Sequence, residues 1–197
     1  MPRETHDITA ADILPLPIWG AQRKAHRKSL SEVKKNRRVA IGPHATLYFE
    51  NWDTMWYQVQ EMLWIEKGGD AQLPDELAAY NPMIPNGTEL SATLMFEIPD
   101  ENKRRVVLSQ LGGVEERVTI SIGGERIAAV SEADQDRTTA DGKTSAVHFL
   151  HFPFTATQIA AFRYSSNELM IRIDHPNYGH AAIVGDAVRA ELSGDFG

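Results

Sequence analysis

A chain of 197 residues, 42% hydrophobic and 24% charged, can bury one sizeable core and has the composition of a globular protein, not a disordered or fibrous one. The absence of cysteine excludes disulfides, thiolate metal sites, cysteine nucleophiles and cysteine-ligated iron–sulfur clusters within the chain. A net charge of -7 argues against a dedicated nucleic-acid binder, but residues 1–40 hold nine basic and four acidic residues, a balance of +5 that leaves -12 for the rest.

In chain order, residues 1–16 read as a partly irregular segment, with Thr9 a weak cap for a short turn and Pro15 and Pro17 interrupting the backbone. The N-terminus has no apolar stretch of signal-peptide length and no run approaches a membrane span, so the expected setting is cytoplasmic. A basic surface helix follows over 18–36. Its thin apolar edge is Ile18, Ala25 and Val33, with Arg23, Lys24, Arg27, Lys28, Lys34 and Lys35 opposite. Two strands flank a Gly42-Pro43 turn.

The stretch 46–69 is the most informative in the chain. It turns helical near Asn51 and sets Trp52, Met55, Trp56, Val59 and Leu63 on one face, with Tyr57, Trp64 and Ile65 around the other sides. A helix apolar on most of its circumference is a buried one, so this is the expected central helix, closed at Gly68-Gly69. Beyond it come a short helix opened by Pro74, a strand over 89–98, a helix over 101–111 and a hairpin about Gly123-Gly124. Then follow a polar loop over 131–144, a strand over 145–152, a helix capped by Thr155, strands over 169–173 and 181–184, and a last helix over 186–192. Helices interspersed with hairpins, and few βαβ periods, predict one α+β domain over 1–197: a mainly antiparallel sheet packed on the aromatic-rich helix.

Carboxylates on a buried helix must be paired, protonated or metal-bound. Glu61 and Glu66 lie roughly 140° apart on the helix and cannot converge on one ion. Each is read against an internal hydrogen bond or ion pair, with Arg104, Arg105 or an N-terminal arginine as partner. His148 and His151 face opposite sides of one strand. In HPNYGH, residues 175–180, a loop folding back would bring His175 and His180 together beside Asp174; the bland alternative is imidazoles bonded to backbone. The metal candidates are thus Asp174, His175 and His180, joined by Glu61 or His148, for a divalent ion such as iron, zinc or manganese. Tyr178 and His44 could complete such a site. The acidic loop with Asp134, Asp136 and Asp141 lacks calcium-hand spacing. No GxSxG elbow, Walker loop, or flavin or nicotinamide fingerprint occurs. The basic helix could grip phosphates or an acidic partner, against the default of a solvated face.

The blocks NWDTMWYQVQEMLWIEKGGDAQLPDELAAYNPMIPNG, ELSATLMFEI, GGVEE, DRTTADGKTSAVHFLHFPFT and HPNYGH stand in an order that resembles the bacterial domain-of-unknown-function family 3501, from about Ile8 to the C-terminus. The resemblance implies a setting and no catalytic residues. Such proteins are commonly encoded beside rubrerythrin, a di-iron peroxide-handling protein, and a cysteine-rich Fe–S oxidoreductase. It therefore implies an accessory component of a peroxide-stress or electron-transfer module, with those two proteins as expected partners. The rivals are a metal-dependent enzyme or metal-binding protein using the 174–180 residues and, last, an anion or nucleic-acid binder working through the face from Arg23 to Lys35. Self-association into a homo-oligomer is compatible with all three.

Overall fold

The computed structural model describes residues 6–132, 144–164 and 166–197. In chain order these form α1 (Leu16–Lys35), β1 (Arg38–Ile41), β2 (Ala45–Phe49), α2 (Trp52–Glu66), α3 (Leu73–Tyr80), β3 (Glu89–Phe96), α4 (Glu101–Leu108), β4 (Val118–Ile122), β5 (Glu125–Ala128), β6 (Val130–Ser131), β7 (Val147–Pro153), α5 (Ala156–Tyr164), β8 (Leu169–His175), β9 (Tyr178–Ile183) and α6 (Asp186–Leu192). The α+β class holds, and its strands divide between two antiparallel sheets, β1-β2-β3-β7-β6 and β5-β4-β8-β9.

Strand alternation explains the layering. Leu90, Ala92, Leu94 and Phe96 of β3, with Leu150 and Phe152 of β7, point one way and meet Val118, Ile120, Ile171 and Ile173 of the second sheet. Phe149 points the other way, into a smaller core of Ile8, Trp52, Met55, Val59, Leu63, Met83 and Ile84. The five-stranded sheet is therefore a middle layer, with the four-stranded sheet on one face and α2 with its neighbours on the other.

Local chemistry sets the helix ends. Asn51 caps α2 by accepting from the Thr54 amide at 3.0 Å, while Thr54 Oγ1 accepts from the Asn51 amide at 2.9 Å. The left-handed residue closing α2 is Lys67, at φ 56°, not the glycine pair that follows. The start of α1 also differs from the sequence expectation. Pro17 lies in its first turn, where a missing N–H costs nothing, so the helix opens at Leu16. Its buried residues are Trp19 and Leu30, while Ile18 is 44% exposed and Ala25 is exposed. Arg23, His26 and Leu30 follow Trp19 at helical spacing, and this is the edge that faces α2. The helix expected over 101–111 ends at Leu108, and the polar loop that holds Asp134, Asp136 and Asp141 lies outside the described residues.

Candidate functional site

The aromatic and charged residues of the sequence converge between α1 and α2. Trp19 is fully buried and donates its indole N–H to Glu61 Oε1 at 3.2 Å. Arg23, one turn on, grips the same carboxylate with both forks: Nε to Oε1 and Nη2 to Oε2, each at 2.6 Å. Bidentate geometry of this kind fixes direction as well as distance. The bond to Glu61 raises the Arg23 pKa, and burial, seconded by the Glu61 charge, raises the Tyr57 phenol. The Trp19 ring stacks on His26 at 5.2 Å and meets Trp56 and Tyr57 edge-on at 5.5 and 5.3 Å. Gly20 permits this approach, since a Cβ there would lie 2.6 Å from Trp64 Cη2. The two helices are locked together by an ion pair inside an aromatic frame.

Beside that locked edge runs a cationic arc. Lys24, Arg27, Lys28, Lys34 and Lys35 spread over roughly 120° of α1; Lys34 is half-buried and the other four are exposed. Lys35 also pairs with Glu32 at 2.6 Å.

The five metal candidates do not converge. Glu61 is held by Arg23, which is the ion-pair alternative with an N-terminal arginine as partner. Glu66 is exposed and accepts from Gln72 Nε2 at 2.8 Å, so it is not a buried carboxylate. His148 is buried between the sheets, its Nε2 at 2.9 Å from Ser145 O and 3.1 Å from Thr144 Oγ1, and its Nδ1 at 3.7 Å from Glu115 Oε2. Asp174, His175 and His180 lie in a hairpin, not a folded-back loop: His175 pairs with Tyr178 and Ile173 with His180. The strands run up to a two-residue turn at Pro176-Asn177, so pleat alternation governs these side chains. His175 and His180 share one sheet face, and Asp174 points to the other. His175 Nε2 lies 3.3 Å from Gly112 O, its Nδ1 accepts from the Asn177 amide at 3.2 Å, and the His180 ring packs on Tyr178 and over Gly42. Among the described residues no group of three or more His, Asp or Glu side chains is disposed to hold a metal ion.

Tyr178 is a clamp. Its buried hydroxyl accepts from the amides of His44 and Ala45 and donates to Ile41 O, closing the β1–β2 turn. The His44 contribution is its backbone.

Three polar features escaped sequence reasoning. Arg37, 1% exposed, ties the α1–β1 junction to Glu191 and Asp195 near the C-terminus. Nothing local marks an arginine whose carboxylate partners lie some 150 residues away. His151 sits between two carboxylates, Nδ1 at 3.4 Å from Glu89 Oε2 and Nε2 at 3.7 Å from Glu132 Oε1. Its bond to Glu89 outweighs burial and lifts its pKa above the ordinary 6.5. A histidine whose folded pKa is raised contributes stability that is fully present below its unfolded value and lost as pH rises through the folded one. Urea midpoints taken from about pH 5 to about pH 8 should therefore lose this contribution above about 6.5, and His151→Gln should flatten that part of the profile. An unchanged profile in the variant would remove the assignment.

Gln60 is fully buried, and neither amide atom has a partner among the described residues. An unpaired buried amide costs about 1–3 kcal/mol. Gln60→Leu is expected to leave stability unchanged or raise it by about 1–2 kcal/mol, read from denaturant unfolding. A loss larger than about 1 kcal/mol would show that the amide is partnered in the folded protein.

The chain is thus a small α+β protein: two packed antiparallel sheets, with α2 against one of them and the cationic helix α1 packed on α2. The chain belongs to the family described as "Protein of unknown function (DUF3501)", which matches over residues 7–196. It is also similar to the crystal structure of a novel protein of unknown function from Burkholderia pseudomallei K96243. The two share 37% identity and a TM-score of 0.89, covering 96% of this chain and 99% of that one. No curated protein matches. Among the described residues no helix is long and apolar enough to cross a membrane.

Proposed function

We propose that this protein is a partner-binding accessory component whose docking face is the cationic arc of α1, and that its partner presents an acidic protein surface. The observation that carries the reading is the pairing of a rigid inner edge with an exposed outer arc. Arg23, Trp19 and Glu61 hold α1 on α2, so Lys24, Arg27, Lys28 and Lys35 are presented on a preorganised scaffold, and less ordering is required on binding. Charges of one sign on such a face steer a partner of opposite sign.

The family resemblance supplies the candidates: rubrerythrin and the cysteine-rich Fe–S oxidoreductase of a cytoplasmic peroxide-stress or electron-transfer module. A chain without cysteine or a flavin or nicotinamide fingerprint suits a role in which the partners carry the cofactors. Calorimetric titration of the purified protein with each of the two, oxidised and reduced, tests this. Binding to one of them supports it, and no association with either protein in either redox state overturns it.

A second reading keeps the hairpin. Half-buried His175 and exposed His180 share one sheet face, and imidazole pairs take up transition ions. Elemental analysis of tag-free protein purified without chelator, beside His175→Ala/His180→Ala, decides it. Near-stoichiometric iron, zinc or manganese lost in the variant would put this reading first.

A further inference from the structure

The four sheet edges of this protein are not equivalent. An edge strand exposes unpaired N–H and C=O groups and invites a further strand unless it is short, charged or otherwise blunted. β1 carries Arg38, β5 carries Glu125 and Arg126, and β6 has only two residues. β9, the edge of the second sheet, reads Tyr-Gly-His-Ala-Ala-Ile: six residues with no charge and no proline.

The register tells which of its groups point outward. The hairpin closes on the His175–Tyr178 pair, and the Val184 amide donates to Leu169 O at 2.8 Å. In an antiparallel ladder, hydrogen-bonded and non-bonded pairs alternate. Tyr178, His180, Ala182 and Val184 therefore spend their backbone groups on β8, and Gly179, Ala181 and Ile183 direct theirs outward. All three residues are exposed, Ile183 to 64%, and none has a backbone partner among the described residues. A depression lined by Arg172, Ile173, Asp174, Gly179, His180 and Ala181 lies over β8 and β9.

We propose that β9 is a self-association edge, pairing antiparallel with β9 of a second copy of this chain. The edge is complementary to itself. A two-fold axis at Ala181 uses all three outward residues: Ala181 faces its own copy, and Gly179 faces Ile183. That register lays the exposed Ile183 side chain over a glycine, which has none of its own. The nearest charges on that face, Arg172 and Asp174 opposite Ala181 and Gly179, cancel within each protomer. The seam is thus neutral although the chain carries -7. β1 and the β1–β2 turn pack beside this hairpin, the turn meeting the His180 ring, on the face opposite to the Ile183 side chain. The product is a dimer with one continuous eight-stranded sheet. Its small seam makes it a concentration-dependent one.

Sedimentation velocity of the full chain over a dilution series tests the proposal, with Ala181→Pro and Ile183→Lys beside the wild type. The Ala181 N–H points outward, where proline is tolerated on an edge strand, so that variant should fold. Wild-type dimer that dissociates on dilution is expected, with each variant weakening association by about ten-fold or more. A wild type that stays monomeric throughout overturns the proposal, as does a dimer that both variants leave unchanged. If Ala181→Pro fails to fold, as read by circular dichroism, Ile183→Lys alone decides between the same two results.

Discussion

Arg37→Met is expected to lower stability by about 3–5 kcal/mol, read as a shift in urea midpoint without loss of secondary structure in the surviving folded fraction. The guanidinium is 1% exposed and spends its donors on five acceptors. Two are backbone carbonyls, Phe49 O at 3.1 Å and Glu50 O at 2.9 Å; the others are Glu191 Oε1 and both oxygens of Asp195. Methionine fills much of the same space but satisfies none of them. The largest cost falls on Asp195, whose carboxyl burial pushes up against the opposing pull of Arg37. Without that pull it should rise further.

The sign follows from proton binding. A carboxyl that holds its proton more tightly folded than unfolded favours the folded state below its ordinary 3.8, and this contribution is lost as pH rises through the raised value. Arg37→Met should therefore be most damaging near neutral pH and recover relative to wild type as the solution is acidified. Arg37→Met/Asp195→Asn should recover part of the loss at neutral pH. A single variant equally unstable at all pH values would show that the carbonyl bonds, not the ion pair, dominate.

Tyr178→Phe is the second large effect, expected at about 2–4 kcal/mol. The phenol oxygen lies 3.0 Å from the His44 amide, 2.9 Å from the Ala45 amide and 2.7 Å from Ile41 O. Phenylalanine keeps the edge-on contact with Phe96 at 5.6 Å but strands two donors and one acceptor. Ala45 is 2% exposed, so its N–H cannot turn to water without opening the turn. The loss should appear as faster amide exchange at Ala45, with the rest of the first sheet unchanged. An effect below about 1 kcal/mol would mean that the turn holds itself closed.

How much of this was legible in the sequence depends on the range of the interaction. α2 was legible because its own residues carry the pattern: Trp52, Met55, Val59 and Leu63 recur at helical spacing just after Asn51. The hairpin at Gly123-Gly124 was legible for the same reason. Pro17 suggests a break from composition alone, yet proline is tolerated in the first helical turn, and the propensity rule does not see position. The apolar edge of α1 was misplaced onto Ile18 and Ala25, because the true edge alternates Trp19 and Leu30 with Arg23 and His26, polar residues whose partners belong to α2. Pro and Asn give the 174–180 segment the look of a loop, whereas the strands continue to the residues beside them. Arg37, His151 and the Tyr178 clamp were invisible, since each depends on partners distant in sequence: the C-terminal segment for Arg37, neighbouring strands for His151 and the other sheet for Tyr178. The division of strands between two sheets belongs to the same class.

The docking role of α1 stands or falls on the salt dependence of partner binding. The comparison is wild type against Lys24→Glu/Lys28→Glu, titrated with the Fe–S oxidoreductase and with rubrerythrin at rising ionic strength. Both residues are exposed and neither belongs to the Trp19–Arg23–Glu61 lock, so the fold should be untouched. Wild-type affinity should fall steeply with salt, and the charge-reversed variant should be weakened by at least about ten-fold at low salt with a flatter dependence. Binding that is insensitive to both salt and charge reversal would contradict it.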